Sequence, residues 1–223
     1  MSDFVHPLAL LGLGLLLGLR HAADPDHVIA VTAIAARTRR IVPATMLGIV
    51  WGLGHTLTLF AAGAGIIAFN WVVPPRLGLA LEFCAALALV AVGLFNLQRP
   101  RRRPSELELG PERPPAKRAF VVGLLHGLAG SAAVALLVLA TVRDPLWALS
   151  YLLVFGAGTL LGMVLVTTGF AVSAATVARR WGGAGRLIRF STGAVSLAFG
   201  IWLVYHVGWS EGLFLAGSSG TPR

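Results

Sequence analysis

One eight-residue segment holds most of the chain's reactive chemistry. Arg20-His21-Ala22-Ala23-Asp24-Pro25-Asp26-His27 puts five ionisable side chains in eight positions. Two imidazoles and two carboxylates form a donor set for a borderline divalent metal. Imidazole suits Zn, Cu, Fe, Co and Ni, and mixed nitrogen and oxygen donors in an open geometry are compatible with Ni(II). At about 100° per residue, an unbroken helix holds His21, Asp24 and His27 within an arc of roughly 120° and turns Asp26 away. Pro25 disturbs that arrangement. It has no N–H for the His21 carbonyl and its ring crowds the same turn, so the helix must kink or unwind here. The plainer alternative pairs Arg20 with Asp24 or Asp26 and leaves the histidines at a wet helix end.

The surroundings weigh between these readings. Of the 223 residues, 57% are hydrophobic and only 12% charged, and the mean hydropathy is +0.81. A soluble domain carries about 25% charge, so this chain cannot cover a water-facing surface. Disorder is excluded because apolar content this high drives burial. A disulfide scaffold is excluded because Cys84 is the sole cysteine. What remains is an all-α integral membrane protein. Insertion of Asp or Arg at a membrane helix centre costs about 2.5 to 3.5 kcal/mol each. Ionisable groups held there usually face a bundle interior or water cavity and mark an ion pathway. Function is therefore the default for the cluster.

Six apolar stretches long enough to span follow from the hydropathy: 4–36, interrupted at the cluster, then 41–69, 74–97, 119–142, 146–178 and 187–207. Each reaches the ~20 residues that cross a ~30 Å hydrocarbon core. The first is not expected to be a cleaved signal, since no Lys or Arg precedes it and no small-residue cleavage site follows. The breaks after spans one, three and five carry Arg37, Arg39 and Arg40, then the basic run 99–118, then Arg179, Arg180, Arg186 and Arg189. The alternate side carries only Arg76, Arg143 and Arg223. That asymmetry places both termini outside the cytoplasm of a multi-pass plasma-membrane protein. Trp71, Trp147 and Trp209 fall at the outer boundary, where indoles favour the interface. Clustering at helix breaks, with no recognition motif, also argues against nucleic acid as partner for the net charge of +9.

The chain divides into a first three-helix unit (1–98) carrying the cluster, a solvated basic linker (99–118), a second three-helix unit (119–209) and a Gly/Ser-rich flexible tail (210–223). The two units resemble each other. Gly18-Leu19-Arg20-His21 recurs as Gly123-Leu124-Leu125-His126, Gly52-Leu53-Gly54 as Gly156-Ala157-Gly158, and Leu81-Glu82-Phe83 with Gly93 as Ile188-Arg189-Phe190 with Gly200. Three spans per unit is an odd number, so the units would be oppositely oriented, a 3+3 inverted repeat. Such repeats characterise transporters, with the site near mid-membrane between them. The pairs Gly48/Gly52, Gly123/Gly127 and Gly158/Gly162 are spacings that let helices approach closely.

Other polar positions extend the cluster. His55 lies fourteen residues into span two and reads as a third metal ligand. His126, at the place in the second unit that His21 holds in the first, joins the candidate set, with a satisfied core histidine as its alternative. Glu82 is an intramembrane carboxylate, open between proton relay and pairing with Arg189, its counterpart in the repeat. Thr56, Ser131, Thr159 and Thr167 are expected to cap carbonyls or bridge helices.

His21-x4-Asp26-His27 resembles the HX4DH signature of the nickel/cobalt transporter (NiCoT) family. Trp51-Gly52-Leu53-Gly54-His55-Thr56 resembles the Leu-Gly-His-Ser element of that family's next helix. Gly123-Leu124-Leu125-His126-Gly127-Leu128-Ala129-Gly130-Ser131 resembles the UreH-like or NicO-type branch. The larger family has eight spans, against six here, and its Asp-Thr-Ala-Thr-type element is absent. The resemblance implies a permease for Ni(II) or Co(II), with the ion as cargo and no prosthetic group.

The expected metal ligands are thus His21, Asp24, Asp26, His27, His55 and His126, and the expected partners are the bilayer and a divalent ion. Lys117 follows Ala116, so there is no phosphate-binding Gly-Lys-Ser/Thr, and ATP coupling would need a separate energising subunit. A homo-oligomer is the other partner class. The competing function is an intramembrane metalloenzyme, because His-x5-His with further histidines could hold iron or zinc with an open position. The zinc-protease motif His-Glu-x-x-His is absent, and an enzyme is not the favoured reading.

Overall fold

The computed structural model describes residues 2–38, 40–69, 74–98, 116–127, 133–181 and 183–215, with the side chains of 2–7 and 133–134 outside the description. Linker residues 99–115, Arg39, Trp71, Ser131 and the last residues of the tail lie outside it, whereas residues 116–118, expected to belong to the linker, are described and helical. Every regular element among the described residues is helical. In chain order they are α1 (Ser2–Ala22), α2 (Pro25–Ala35), α3 (Ile41–Phe69), α4 (Pro75–Leu97), α5 (Ala116–His126), α6 (Ala133–Thr141), α7 (Pro145–Arg180) and α8 (Ala184–Tyr205). A π turn, His206–Ser210, extends α8.

Four of these are long and apolar enough to cross a membrane: α3, α4, α7 and α8 with its π turn. The bent pair α1 and α2 makes a fifth if counted as one span. Stretch 119–142 appears as α5 and α6, and residues 128–132 between them lie outside the description.

The helix ends follow the local chemistry. α1 stops at Ala22 because Pro25 cannot continue the ladder. The His21 carbonyl accepts the Asp24 amide at 3.1 Å instead, and α2 leaves at 55° to α1. α7 begins with the same Asp-Pro pair. There Asp144 accepts from the amides of Leu146 and Trp147 at 2.8 and 3.1 Å and closes the first turn. Between α7 and α8 the chain turns at Gly183, whose φ of 96° only glycine adopts cheaply.

Glycine sets the closest helix crossings, and these come in matched pairs. A methyl group on Gly18 would meet the Phe155 carbonyl and, at 2.8 Å, the Thr159 nitrogen of α7. Gly123, 105 residues later, stands in the same way against the Trp51 carbonyl and, at 3.1 Å, the His55 nitrogen of α3. A methyl group on Gly93 would meet Gly193 O and Leu197 N at 2.8 and 2.6 Å, and one on Gly200 would meet Ala86 O and Val90 N at 3.1 and 2.8 Å. So α1 packs on α7 as α5 packs on α3, while α4 and α8 pack on each other through equivalent positions. Without a solvent-driven force between membrane helices, such backbone approaches and interhelical hydrogen bonds hold the bundle. Thr45 and Thr168 join α3 to α7 at 3.0 Å, Thr58 donates to the Leu124 carbonyl at 3.0 Å, and Ser196 donates to Leu89 O at 2.8 Å.

The α4–α8 crossing corrects one expectation. Arg189 does not meet Glu82; it donates to the Gln98 carbonyl at 3.4 Å. Gln98 stands sixteen residues beyond Glu82 along α4, about 24 Å at helical rise. That distance keeps the Arg189 guanidinium, at the Gln98 end of α4, away from the Glu82 carboxyl. Beyond α8, residues 211–215 fold back until the Phe214 ring meets Phe83 edge-on at 5.1 Å.

Candidate metal centre

The break between α1 and α2 brings His21 and His27 face to face. His21 closes the last turn of α1 and His27 lies in the first turn of α2, and their ring centres stand 4.6 Å apart. His55 joins them from the middle of α3, at 5.0 Å from His21 and 4.8 Å from His27. One nitrogen from each of the three rings lies within 4.8 Å of the others, and all three side chains are buried. The segment thus achieves by breaking what an unbroken helix would have done only approximately.

The two carboxylates stand behind this trio. Asp24 lies at 3.1 Å from His21 Nδ1 and Asp26 at 2.8 Å from His27 Nδ1. An ionised carboxylate only accepts, so each Nδ1 donates and each Nε2 keeps its lone pair. Asp24 caps no amide of α2, unlike Asp144 at α7, because its carboxylate is turned to the imidazole. Carboxylates in this position fix the tautomer and ring orientation of metal-binding histidines. Each carboxylate thus contacts a ring Nδ1, and the group whose possible ligand atoms lie within 4.8 Å of one another is His21, His27 and His55.

His126 ends α5 and is completely buried, its ring centre 6.0 Å from that of His27. Its Nδ1 donates to the Val122 carbonyl at 2.9 Å, and Nε2 has no partner among the described residues. His27 Nε2 and His55 Nδ1 are likewise buried without a partner. His55 Nε2 lies 2.9 Å from His21 Nε2, donating to its lone pair. Unmet imidazole nitrogens in one pocket are costly in a dry interior. A cation that accepts their lone pairs offsets that cost.

After a small closure the dimensions suit a divalent ion in tetrahedral or tetragonal geometry. With bonds of ~2.1 Å, adjacent nitrogens stand ~3.0 Å apart and opposite ones ~4.2 Å. The observed 2.9 Å contact and the 4.8 Å outer limit bracket those values. An ion held by both rings would replace the His21–His55 hydrogen bond.

Trp51, one turn before His55, packs against three of the imidazoles, with ring centres at 5.4 Å from His27, 5.7 Å from His55 and 5.8 Å from His126. It is completely buried and its Nε1 has no partner among the described residues. Its mid-span position was a usable signal, because a membrane tryptophan serving as an interface anchor sits at the boundary. Phe155 covers His21 from α7 at 5.7 Å. Of the hydroxyls, Thr159 and Thr167 bond carbonyls four residues back, as expected, whereas Thr56 Oγ1 is buried with no partner among the described residues. Arg20 is exposed at the helix break and forms no ion pair with Asp24 or Asp26, which removes the alternative of a local Arg–Asp pair.

No protein-family model matches the chain, and no solved structure matches it significantly. Among curated proteins it is 37% identical over 223 residues to the urease accessory protein UreH of Bacillus sp. (strain TB-90), an alignment covering 95% of this chain and 97% of the relative. Identity at that level over nearly the whole of both chains leaves no segment to a separate origin: the chain belongs to the family of the urease accessory protein UreH.

Proposed function

We propose that this protein is a membrane permease for a divalent transition-metal ion, Ni(II) or Co(II), which it carries through the imidazole cluster of His21, His27 and His55. The carrying observation is that trio of buried rings, each able to offer a nitrogen within 4.8 Å of the others, in a pocket where further nitrogen lone pairs are unmet. His126 serves as a fourth ligand from the second unit, and Asp24 and Asp26 orient the rings. The family relationship supports a nickel-related accessory or transport role. Neutral imidazoles replace part of the ion's water shell on entry, and the orienting carboxylates offset its charge at one remove.

The same reading takes the chain as six spans in a 3+3 inverted repeat, with both termini outside the cytoplasm of the plasma membrane. The matched glycine crossings support it: exchanging the units maps α1 on α7 to α5 on α3, and α4 on α8 to itself. The site then lies between the units, where repeat transporters hold their ions. The test is uptake of radiolabelled nickel into vesicles holding the purified protein, compared with His21→Ala. Uptake that is absent, or that His21→Ala leaves unchanged, rejects the permease.

A further inference from the structure

The arginine-rich end of the bundle holds a cavity that the metal reading does not use. Its volume is about 380 Å³, and Arg40, Ile41, Ala175, Ala178 and Arg179 line it. It opens between the start of α3 and the last turns of α7. Arg40 and Arg179 are both exposed, and neither forms an ion pair with a carboxylate among the described residues. We propose that this crevice binds the phosphate of an anionic membrane phospholipid, held between the Arg40 and Arg179 guanidiniums.

Three features favour that occupant. Two guanidiniums flanking one cavity match a phosphodiester, whose oxygens accept paired N–H donors. The first turn of α3 contains no acidic side chain, and it forms the positive end of a 29-residue helix. Ile41, Ala175 and Ala178 make the floor apolar, and Val42 and Met46 on α3 and Val172 and Leu165 on α7 are exposed apolar side chains farther along the same two helices. A free anion has no use for such a track, whereas the acyl chains of a lipid cover it. Basic pockets between membrane helices are the usual seats of anionic headgroups.

The other basic grouping at this end lacks these features. Arg118 lies over the Phe95 ring at 5.0 Å, and Arg189 is bonded to Gln98 O. Burial, followed by the neighbouring Arg189 and Arg118 guanidiniums, lowers the Arg37 pKa, a sign of mutual repulsion.

The test is native mass spectrometry of the purified protein with phosphatidylglycerol, phosphatidylcholine or inorganic phosphate added. The expected result is retention of one phosphatidylglycerol and no phosphatidylcholine. Retention falls about thirtyfold in Arg40→Gln/Arg179→Gln, the loss of two surface cation contacts, and is partly restored in Arg40→Lys/Arg179→Lys. Arg180→Gln/Arg186→Gln removes the same net charge nearby and should keep the lipid. The proposal is overturned if that control loses as much, if phosphatidylcholine is retained equally, or if inorganic phosphate displaces the lipid at equal concentration.

Discussion

Asp26 holds the Nδ1 of His27, the next residue, at 2.8 Å, and the opposite nitrogen of that ring is buried without a partner among the described residues. The pair behaves as a unit in which the carboxylate aims the imidazole. Asp26→Asn keeps the shape but lets the ring take either tautomer. Nickel affinity should fall by about 10- to 100-fold, the usual cost of losing an orienting partner. His27→Ala removes the ligand itself and should abolish measurable binding. Titration calorimetry on the purified variants checks this, and equal losses in the two would make Asp26 a direct ligand.

Acid should weaken metal binding, because an imidazolium has no lone pair to give. The sign is fixed by competition: each proton taken up by His21, His27 or His55 removes one nitrogen from the ion. Ordinary imidazoles titrate near 6.5 and carboxylates near 4. An affinity that acid does not lower would argue against ligation by histidine. Binding to purified protein is the right readout, because a proton gradient can mask the loss in a transport assay.

Gly18 and Gly123 should be equally intolerant of a side chain. Each lies on a carbonyl of the helix it crosses, Phe155 and Trp51 respectively, and a backbone atom cannot swing aside as a side chain can. Gly18→Val and Gly123→Val should each cost about 1 to 3 kcal/mol or more by overpacking. Gly78→Val, which meets nothing within 4 Å, should cost far less. Thermal denaturation in detergent measures the difference. A large loss at only one of the first two would break the equivalence of the crossings.

The elements legible in the sequence were those that polarity alone defines. Stretches 41–69 and 74–97 became α3 and α4 within a residue at each end, because uninterrupted apolar runs leave the backbone no choice but helix in a membrane. Pro25 announced the break in the first span for a covalent reason, its missing N–H. The direction of each carboxylate was not legible. Asp24-Pro25 and Asp144-Pro145 are the same dipeptide, yet Asp144 caps α7 while Asp24 turns to His21. Only the presence of an imidazole three residues back separates them. Glu82 and Arg189 show a second limit: a match between repeated segments aligns positions without bringing them together, and Arg189 meets the Gln98 carbonyl instead. Trp51 was missed because its partners come from α2, α3 and α5, a convergence that no local pattern encodes.

Trp51 also provides a direct optical report on the site. Its ring stands 5.4 to 5.8 Å from His27, His55 and His126, so an ion held among those rings lies close to the indole. Ni(II) and Co(II) have partly filled d shells and quench a neighbouring indole, whereas Zn(II) is d¹⁰ and should leave its emission nearly unchanged. The chain holds six tryptophans, so the signal is the part of nickel quenching that disappears in Trp51→Phe. That part should saturate with nickel, vanish in His27→Ala and be restored by chelation. Trp51→Phe keeps an aromatic ring against the imidazoles and should still bind nickel by calorimetry. Quenching of the same amplitude in wild type and Trp51→Phe would place the ion beside another tryptophan and away from the His21–His27–His55 cluster.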